Sequence, residues 1–84
     1  MNDIVFAGKN FVLTTISYGN EKPITDIITK MGGTVRSSTV KDTDYVIYGD
    51  TVSSKYKKAI ELKEKGRNIV FISEAEFVEW INSK

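Results

Sequence analysis

The side chains best suited to chemistry in this sequence are hydroxyls and lysines, because histidine and cysteine are both absent. That absence excludes thiolate nucleophiles, disulfides, thiolate zinc sites and histidine acid–base catalysis together. An enzyme would then need a serine–lysine or carboxylate pair, and no spacing in the chain favours one. The sequence therefore predicts a binding domain that is not itself an enzyme, although it could be a domain of a larger one.

The lysines Lys55, Lys57 and Lys58 crowd together where a helix is expected to begin. Cations are disfavoured beside the positive end of a helix macrodipole, by about 0.3–1 kcal/mol each at an exposed site. A bound anion would reverse this cost. The cluster therefore indicates either an anion site or ordinary solvated lysines on an amphipathic helix, and the sequence leaves both interpretations open.

The first part of the chain predicts a buried strand and an amphipathic helix. A mostly apolar run at 9–15 is typical of a strand covered on both faces. A loop at 16–21 leads to the helix, because Pro23 suits a first turn and Gly32 with Gly33 suits a left-handed stop. One apolar stripe has the spacing of a helix face: Ile24, Ile27, Ile28 and Met31.

Two further strands follow this helix. The segment 34–40 is rich in β-branched residues and serine, which predicts a short strand at an edge of the sheet. After a turn at 41–44, the compact apolar run 45–48 predicts a third strand, closed by Gly49 and Asp50. The continuous apolar character of this third strand favours a central position.

A second helix is predicted from a cap at Ser53 or Ser54 to about Lys65, where Gly66 provides a stop. Glu61 and Lys65 form a favourable i, i+4 pair on its exposed side. Four of its residues are expected to face inward: Tyr56, Ala59, Ile60 and Leu62.

The last segment predicts a fourth strand and a third helix. The strand is the apolar run 69–72. Ser73 and Glu76 have the spacing of a capping box, in which each side chain binds the backbone amide of the other residue. The helix that follows carries an apolar set: Phe77, Val78, Trp80 and Ile81.

This order of elements predicts one α/β domain over 1–84. We expect three layers, with a four-stranded parallel sheet in the order 2-1-3-4 and three flanking helices. Strands one and three then lie side by side, and their carboxyl ends meet the amino ends of helices one and two. Such ends attract anions, because their first amides are unpaired. Thr14 and Thr15 end strand one at this place.

The chain resembles the BRCT domain family through an ordered set of short motifs. The set comprises FAGKNFVLT at 6–14, the glycine pair at 32–33, TDYVI at 43–47, SKYKKA at 54–59, ISEAEF at 72–77 and Trp80. The residues around strand three and helix two are most similar to the BRCT domain that ends bacterial NAD-dependent DNA ligases. The resemblance implies a non-catalytic scaffold or binding domain in DNA repair and replication.

The resemblance also implies a phosphate-binding site. Its parts would be the Thr14 hydroxyl, the Thr15 amide and a lysine of helix two, for which Lys58 is preferred and Lys57 is the alternative. Lys55 and Lys57 would be additional anion contacts. Where family members have glycine, this chain has Thr15. The implied partner is a DNA end or nick bearing a 5′-phosphate, and the alternative is a protein or phosphopeptide.

Aromatic residues offer two interpretations each. Trp80 could stack on a base, but its i, i+3 spacing from Phe77 favours core packing. Tyr48 and Tyr56 could line a peptide groove, but their apolar surroundings also favour the core. Tyr18, in the loop before helix one, is the better surface candidate.

The carboxylates Asp42, Asp44 and Asp50 could indicate a cation site, but two of them flank a strand and are typical of turn and cap formers. We therefore expect no metal and no cofactor.

Composition restricts the class of partner. The chain has 12 basic and 11 acidic residues, so its overall field cannot attract nucleic acid generally, and any anion binding must be local. No apolar run of about 18 residues occurs, and the start at Met1, Asn2 and Asp3 is unlike an export signal. These patterns predict a cytoplasmic protein without a membrane partner or a small-molecule substrate.

Overall fold

A computed structural model describes residues 4–39 and 41–83 of the chain; residues 1–3, Val40 and Lys84 lie outside the described residues. Met1, Asn2 and Asp3, from which the sequence analysis predicts that the chain lacks an export signal, are therefore outside the described residues. Val40, the predicted end of strand two, is outside them as well. The elements are β1 (Asn10–Thr14), α1 (Glu21–Lys30), β2 (Thr34–Arg36), β3 (Tyr45–Tyr48), α2 (Ser54–Glu64), β4 (Val70–Ser73) and α3 (Glu74–Asn82). Their order is the predicted one.

The four strands form one parallel sheet in the order β2-β1-β3-β4, which confirms the predicted arrangement. β1 and β3 are neighbours, with Val12 opposite Val46 and Thr14 opposite Tyr48. Because the chain winds outward from these two strands in opposite directions, the topological switch point lies between them. The carboxyl ends of β1 and β3 therefore share one edge with the amino ends of α1 and α2.

Two apolar clusters cover the two faces of the sheet. On the face covered by α1 and α3, Phe77 and Phe11 belong to one buried cluster. On the face covered by α2, Ala59 and Val12 belong to the other. Phe11 and Val12 are successive residues of β1, and both are fully buried. β1 is thus covered on both faces, as its apolar run predicts, and burial of each large side chain contributes about 1.5–3 kcal/mol.

Two strands are shorter than predicted at their carboxyl ends. β1 ends at Thr14 because Thr15 has a left-handed backbone, with φ of 51°. β2 ends at Arg36 because the chain turns from the sheet toward α2, where the Thr39 hydroxyl donates to the Lys55 carbonyl at 3.0 Å. The edge position predicted for β2 is confirmed.

The helix caps follow the predicted chemistry. Ser53 caps α2, and its Oγ accepts from the Tyr56 amide at 3.1 Å. Ser73 and Glu76 form the predicted capping box at α3. Ser73 also pairs with Tyr48 in the sheet, so β4 includes this residue and runs one position later than predicted.

The glycine pair after α1 has two different structural reasons. Gly32 has a φ of 91°, the left-handed stop that the sequence predicts. Gly33 is required by close packing instead, since a Cβ there would lie 2.8 Å from Cγ2 of Ile28 and 3.0 Å from Cε1 of Phe11. Within the described ranges, no helix is long and apolar enough to cross a membrane.

Candidate functional site

Thr14 lies at the carboxyl end of β1 and faces the beginning of α2. Its side chain is buried, with 3% of the residue exposed. Its Oγ1 lies 2.5 Å from Oγ of Ser53, which also accepts from the Tyr56 amide. One pair of hydroxyls therefore joins the end of β1 to the first turn of α2. Ser53 was predicted only as one of two candidate caps, and its contact with Thr14 was not predicted.

Thr15 is exposed and adopts a left-handed backbone, at the position where the resemblance to the BRCT family implies glycine. This conformation costs a non-glycine residue about 1–2 kcal/mol. The Thr15 hydroxyl offsets part of the cost, because it donates to the Thr14 carbonyl at 2.7 Å and accepts from the Asp50 amide at 3.0 Å. Threonine can thus occupy a glycine conformation through bonds that glycine could not make.

Gly49 brings the end of β3 against the end of β1. Its amide donates to the Thr14 carbonyl at 2.9 Å. A Cβ on Gly49 would overlap the carbonyl group of Thr15, so no other residue fits without movement of the backbone. The switch point between the two strands is closely packed for this reason.

Lys55 contributes an ammonium group to the same end of β1. It is half-buried, and its Nζ donates to the Leu13 carbonyl at 3.3 Å. This contact accounts for one of the lysines at the amino end of α2, where the first turn contains no acidic residue. The bond is long, so an anion could compete for the ammonium group.

Lys57 and Lys58 are both exposed, and no hydrogen bond or ion pair holds either ammonium group within residues 4–39 and 41–83. Their directions around α2 differ. Lys58 follows Lys55 by three residues and shares its side of the helix, whereas Lys57 lies on the far side. Helical side chains tilt toward the amino terminus, so Lys58 points back along the side of α2 that carries Ser54 and Lys55, its neighbours at i−4 and i−3. This geometry favours Lys58 over Lys57, and their roles in anion binding stay predictions.

A shallow cleft of about 470 Å³ opens beside Lys55, and Lys22 and Arg36 line it as well. Lys22 pairs with Asp26 at 3.2 Å, and Arg36 pairs with Asp42 at 3.4 Å. These ion pairs are exposed, and such pairs contribute only about 0–1 kcal/mol. Both cations can therefore exchange their partners for a bound anion at little cost.

Glu74, the first residue of α3, fixes the loop between β1 and α1. Its carboxylate accepts from the Ser17 amide at 3.0 Å, the Ser17 hydroxyl at 3.1 Å and the Asn20 side chain at 2.7 Å. Desolvation raises the pKa of Glu74, but the hydrogen bonds from Asn20 and Ser17 outweigh it, so the pKa lies below its usual value. Asn20 makes no side-chain cap at α1. An acidic residue in a first helical turn predicts only a helix-dipole interaction, so the sequence carried no signal of this contact.

The aromatic residues divide as predicted. Tyr18 is fully exposed, with a relative exposure of 106%. The rings of Tyr48 and Tyr56 are partly buried and pack edge to face, with centroids 5.1 Å apart. Trp80 packs against Phe77 at 5.7 Å and lies against the core. Core packing is thus confirmed for Trp80, and Tyr18 is the surface residue.

The three aspartates act separately. Asp44 accepts from the Asn10 amide at 2.8 Å, and Asp50 accepts from the Val52 amide at 3.0 Å, while Asp42 forms the ion pair given above. The interpretation as a turn former is confirmed for Asp50, whereas Asp44 joins the start of β1 to the start of β3 through a bond between residues 34 positions apart. Within the part of the chain that the structure describes, no group of three His, Cys, Asp or Glu residues could hold a metal ion.

The sequence matches the family model described as BRCA1 C Terminus (BRCT) domain over residues 1–75. It is 39% identical over 83 residues to a DNA ligase of Ruminiclostridium cellulolyticum, a match that covers 94% of this chain and 12% of the ligase. A DNA ligase of Acholeplasma laidlawii is 42% identical over 78 residues, which are 92% of this chain and 11% of that protein. The chain thus spans only a small part of the length of these curated relatives.

Solved structures show the same fold. The crystal structure of Rad4 BRCT1,2 in complex with a Mdb1 phosphopeptide superposes with a TM-score of 0.69 at 25% identity, and the match covers 94% of this chain and 38% of that one. The C-terminal BRCT domain of human XRCC1 superposes with a TM-score of 0.62 at 18% identity, covering 82% of this chain and 70% of that one.

Proposed function

The chain belongs to the BRCT domain family, and from that premise we propose that it is a non-catalytic module that binds the 5′-phosphate of a DNA end or nick. The observation that carries the proposal is the junction of β1 and α2, where two hydroxyls, a lysine and a helix amino end meet. The DNA ligases among its relatives favour DNA as the source of the phosphate.

The hydroxyl pair at this junction leaves one hydrogen for an anion. Thr14 and Ser53 together carry two hydroxyl hydrogens, and one of them lies between the two oxygens. Ser53 already accepts from the Tyr56 amide and can accept a second bond through its other lone pair. Whichever residue donates within the pair, the other keeps its hydrogen. When the buried Thr14 donates, the half-buried Ser53 keeps its hydrogen at the positive end of α2, where a phosphate oxygen is favoured.

The lysines supply the opposite charge. A terminal phosphate monoester carries a charge of about −1.5 to −2 near neutral pH and has three strong acceptor oxygens. Lys55 is already directed at the end of β1, and Lys58 lies on the same side of α2 as Lys55, which supports a role for it in the same site. Hydrogen bonds between an ammonium group and a phosphate contribute about 1.5–3 kcal/mol each, so one lysine changes the affinity by about 10- to 150-fold.

The test is fluorescence anisotropy with duplexes that differ only in a 5′-phosphate. We expect tighter binding of the phosphorylated duplex, and a loss of about tenfold or more in Lys58→Glu. The matched control is Lys57→Glu, which makes the same change of charge on the far side of α2. If only the overall charge of the domain mattered, both variants would lose the same affinity for the phosphorylated duplex. A local phosphate site requires Lys58→Glu to bind this duplex more weakly than Lys57→Glu does. Equal affinity of the wild type for the two duplexes would exclude recognition of the phosphate.

A phosphopeptide is the second candidate ligand, because the Rad4 structure that shares this fold at 25% identity contains one. Phosphoserine and a 5′-phosphate present the same anionic group, so the junction of β1 and α2 would serve for either. Competition between a phosphorylated duplex and a phosphoserine peptide separates them. A peptide that binds when the duplex does not would establish the second candidate. Partners recovered equally from phosphatase-treated extract would indicate protein binding without phosphate.

A further inference from the structure

The tip of the β1–α1 loop presents an aromatic ring to solvent beside the proposed phosphate site. Tyr18 follows Thr15 by three residues, and its relative exposure of 106% means that the ring packs against nothing. A ring in this state is unfavourable in water and gains free energy when a ligand covers it. Tyrosine is also among the residues that most often dominate binding energies.

The loop that carries Tyr18 is held at both sides of the ring. Ser17 and the side chain of Asn20 both donate to the carboxylate of Glu74. The backbone amide of Asn20 donates to the Ser17 carbonyl at 3.0 Å. These bonds close a turn around Tyr18 and Gly19. A ligand that covers the ring therefore has little backbone left to order, which reduces the entropic cost of binding.

The cleft beside Lys55 and a cleft beside Tyr18 share two lining residues. The cleft beside Lys55 is lined in part by Glu21 and Lys22. The same two residues line a second cleft of about 480 Å³, which contains Tyr18. A ligand that begins at Lys55 and passes Lys22 thus reaches the tyrosine ring. Lys22 has only an exposed ion pair to give up, so it can bind a phosphodiester on the way.

We propose that Tyr18 stacks on the terminal base of a DNA end whose 5′-phosphate occupies the junction of β1 and α2. The inference rests on the proposed function and adds to it the contact that distinguishes a DNA end from a free phosphate. Any base presents a flat π-face to a tyrosine, so the contact tolerates all sequences. A terminal base pair has one such face open, whereas a base pair inside a duplex has none.

The test compares Tyr18→Ala and Tyr18→Phe by fluorescence anisotropy with a 5′-phosphorylated duplex. We expect Tyr18→Ala to weaken binding by about 5- to 150-fold, the range for loss of one stacked base, and Tyr18→Phe to stay within about twofold of wild type. The control is Met31→Ala, which removes another exposed apolar side chain at the opposite end of α1. Because Tyr18 packs against nothing, thermal unfolding of its variants should match that of wild type.

A duplex with a 5′-phosphate but no base on its terminal nucleotide completes the test. On this duplex, wild type and Tyr18→Ala should bind equally. A Tyr18→Ala variant that binds the intact duplex as tightly as wild type, with preference for the 5′-phosphate retained, would overturn the stacking inference alone. Loss of that preference in the wild type would instead overturn the proposed function. Weakening of a phosphopeptide by Tyr18→Ala, without weakening of DNA, would assign the ring to a peptide.

Discussion

Replacement of Ser53 by alanine removes two interactions at once, and the structure predicts their separate costs. Loss of the cap at α2 typically costs about 1 kcal/mol. The Thr14 hydroxyl, in a residue that is only 3% exposed, also loses its partner at 2.5 Å. A buried hydroxyl left without a partner costs about 1–3 kcal/mol. We therefore expect Ser53→Ala to lower the free energy of unfolding by about 2–4 kcal/mol, a large share of the stability of a small domain.

Thr14→Val tests the same contact from the other side. Valine has nearly the shape of threonine, and Ser53 keeps its bond to the Tyr56 amide. We expect a cost of about 1 kcal/mol, the net contribution of one hydrogen bond. In the double variant neither hydroxyl remains, so only the Tyr56 amide loses its partner and no buried hydroxyl is left unpaired. The double variant should be about 1–2 kcal/mol less stable than wild type, and therefore more stable than Ser53→Ala alone.

The assay is equilibrium unfolding in urea, followed by the fluorescence of Trp80, the single tryptophan. The matched control is Ser54→Ala, because Ser54 is the exposed neighbour that does not cap α2. It should unfold close to wild type. Additive costs of Ser53→Ala and Thr14→Val, within about 0.5 kcal/mol, would refute the reasoning, because additivity means that the two hydroxyls do not depend on each other.

Three further predictions concern the same edge of the sheet. Gly49→Ala should destabilise the domain by about 3 kcal/mol or more in urea unfolding, since its Cβ would overlap the Thr15 carbonyl. Gly66→Ala should cost only about 1–2 kcal/mol, because Gly66 has a φ of 104° but open space for a Cβ. Equal costs of the two variants would contradict this reasoning. Thr15→Ala keeps the cost of the left-handed backbone and loses the hydroxyl, whereas Thr15→Gly loses the hydroxyl but removes that backbone cost. Thr15→Ala should therefore be about 1 kcal/mol less stable than Thr15→Gly. The reverse order of stability in urea unfolding would contradict this account. Because the pKa of Glu74 is lowered on folding, its contribution to stability is present above the unfolded pKa and is lost as the pH falls through the folded pKa. Glu74→Gln should therefore be less stable than wild type at pH 7 and should approach the stability of wild type in acid. A difference in the free energy of unfolding that does not change with pH would exclude this role.

The fold could be predicted because each element carries its own local signal. The apolar run of β1 indicates burial on both faces, and Ser73 with Glu76 marks the start of α3. Once strands and helices alternate, chain topology restricts the sheet to a few orders. The predicted strand end is wrong where a contact with a residue distant in the sequence determines where the strand stops. Thr39 leaves the sheet because it bonds to Lys55 on α2, and no local pattern announces that bond.

The candidate site could be predicted only in part. Thr14 and Thr15 lie at the predicted edge, because a strand end and its neighbour in the sheet determine that placement. The contact of Ser53 with Thr14 depends on how α2 sits against the sheet, which helix periodicity does not define. Glu74 acts on residues far away in the sequence, so its role required the complete fold.

The parallel pairing of the strands also determines when the sheet can form during synthesis on the ribosome. The central strand β1 is made before both of its neighbours, yet Val12 has no partner in β3 until Val46 has been synthesised, and Val46 has none in β4 until Phe71 follows. Each pairing closes a loop that contains a whole helix, and such long-range closure slows folding. We therefore expect these strands to remain unpaired in a nascent chain until β4 has left the exit tunnel, so that the edge that carries Thr14 forms only after the whole sheet has been synthesised.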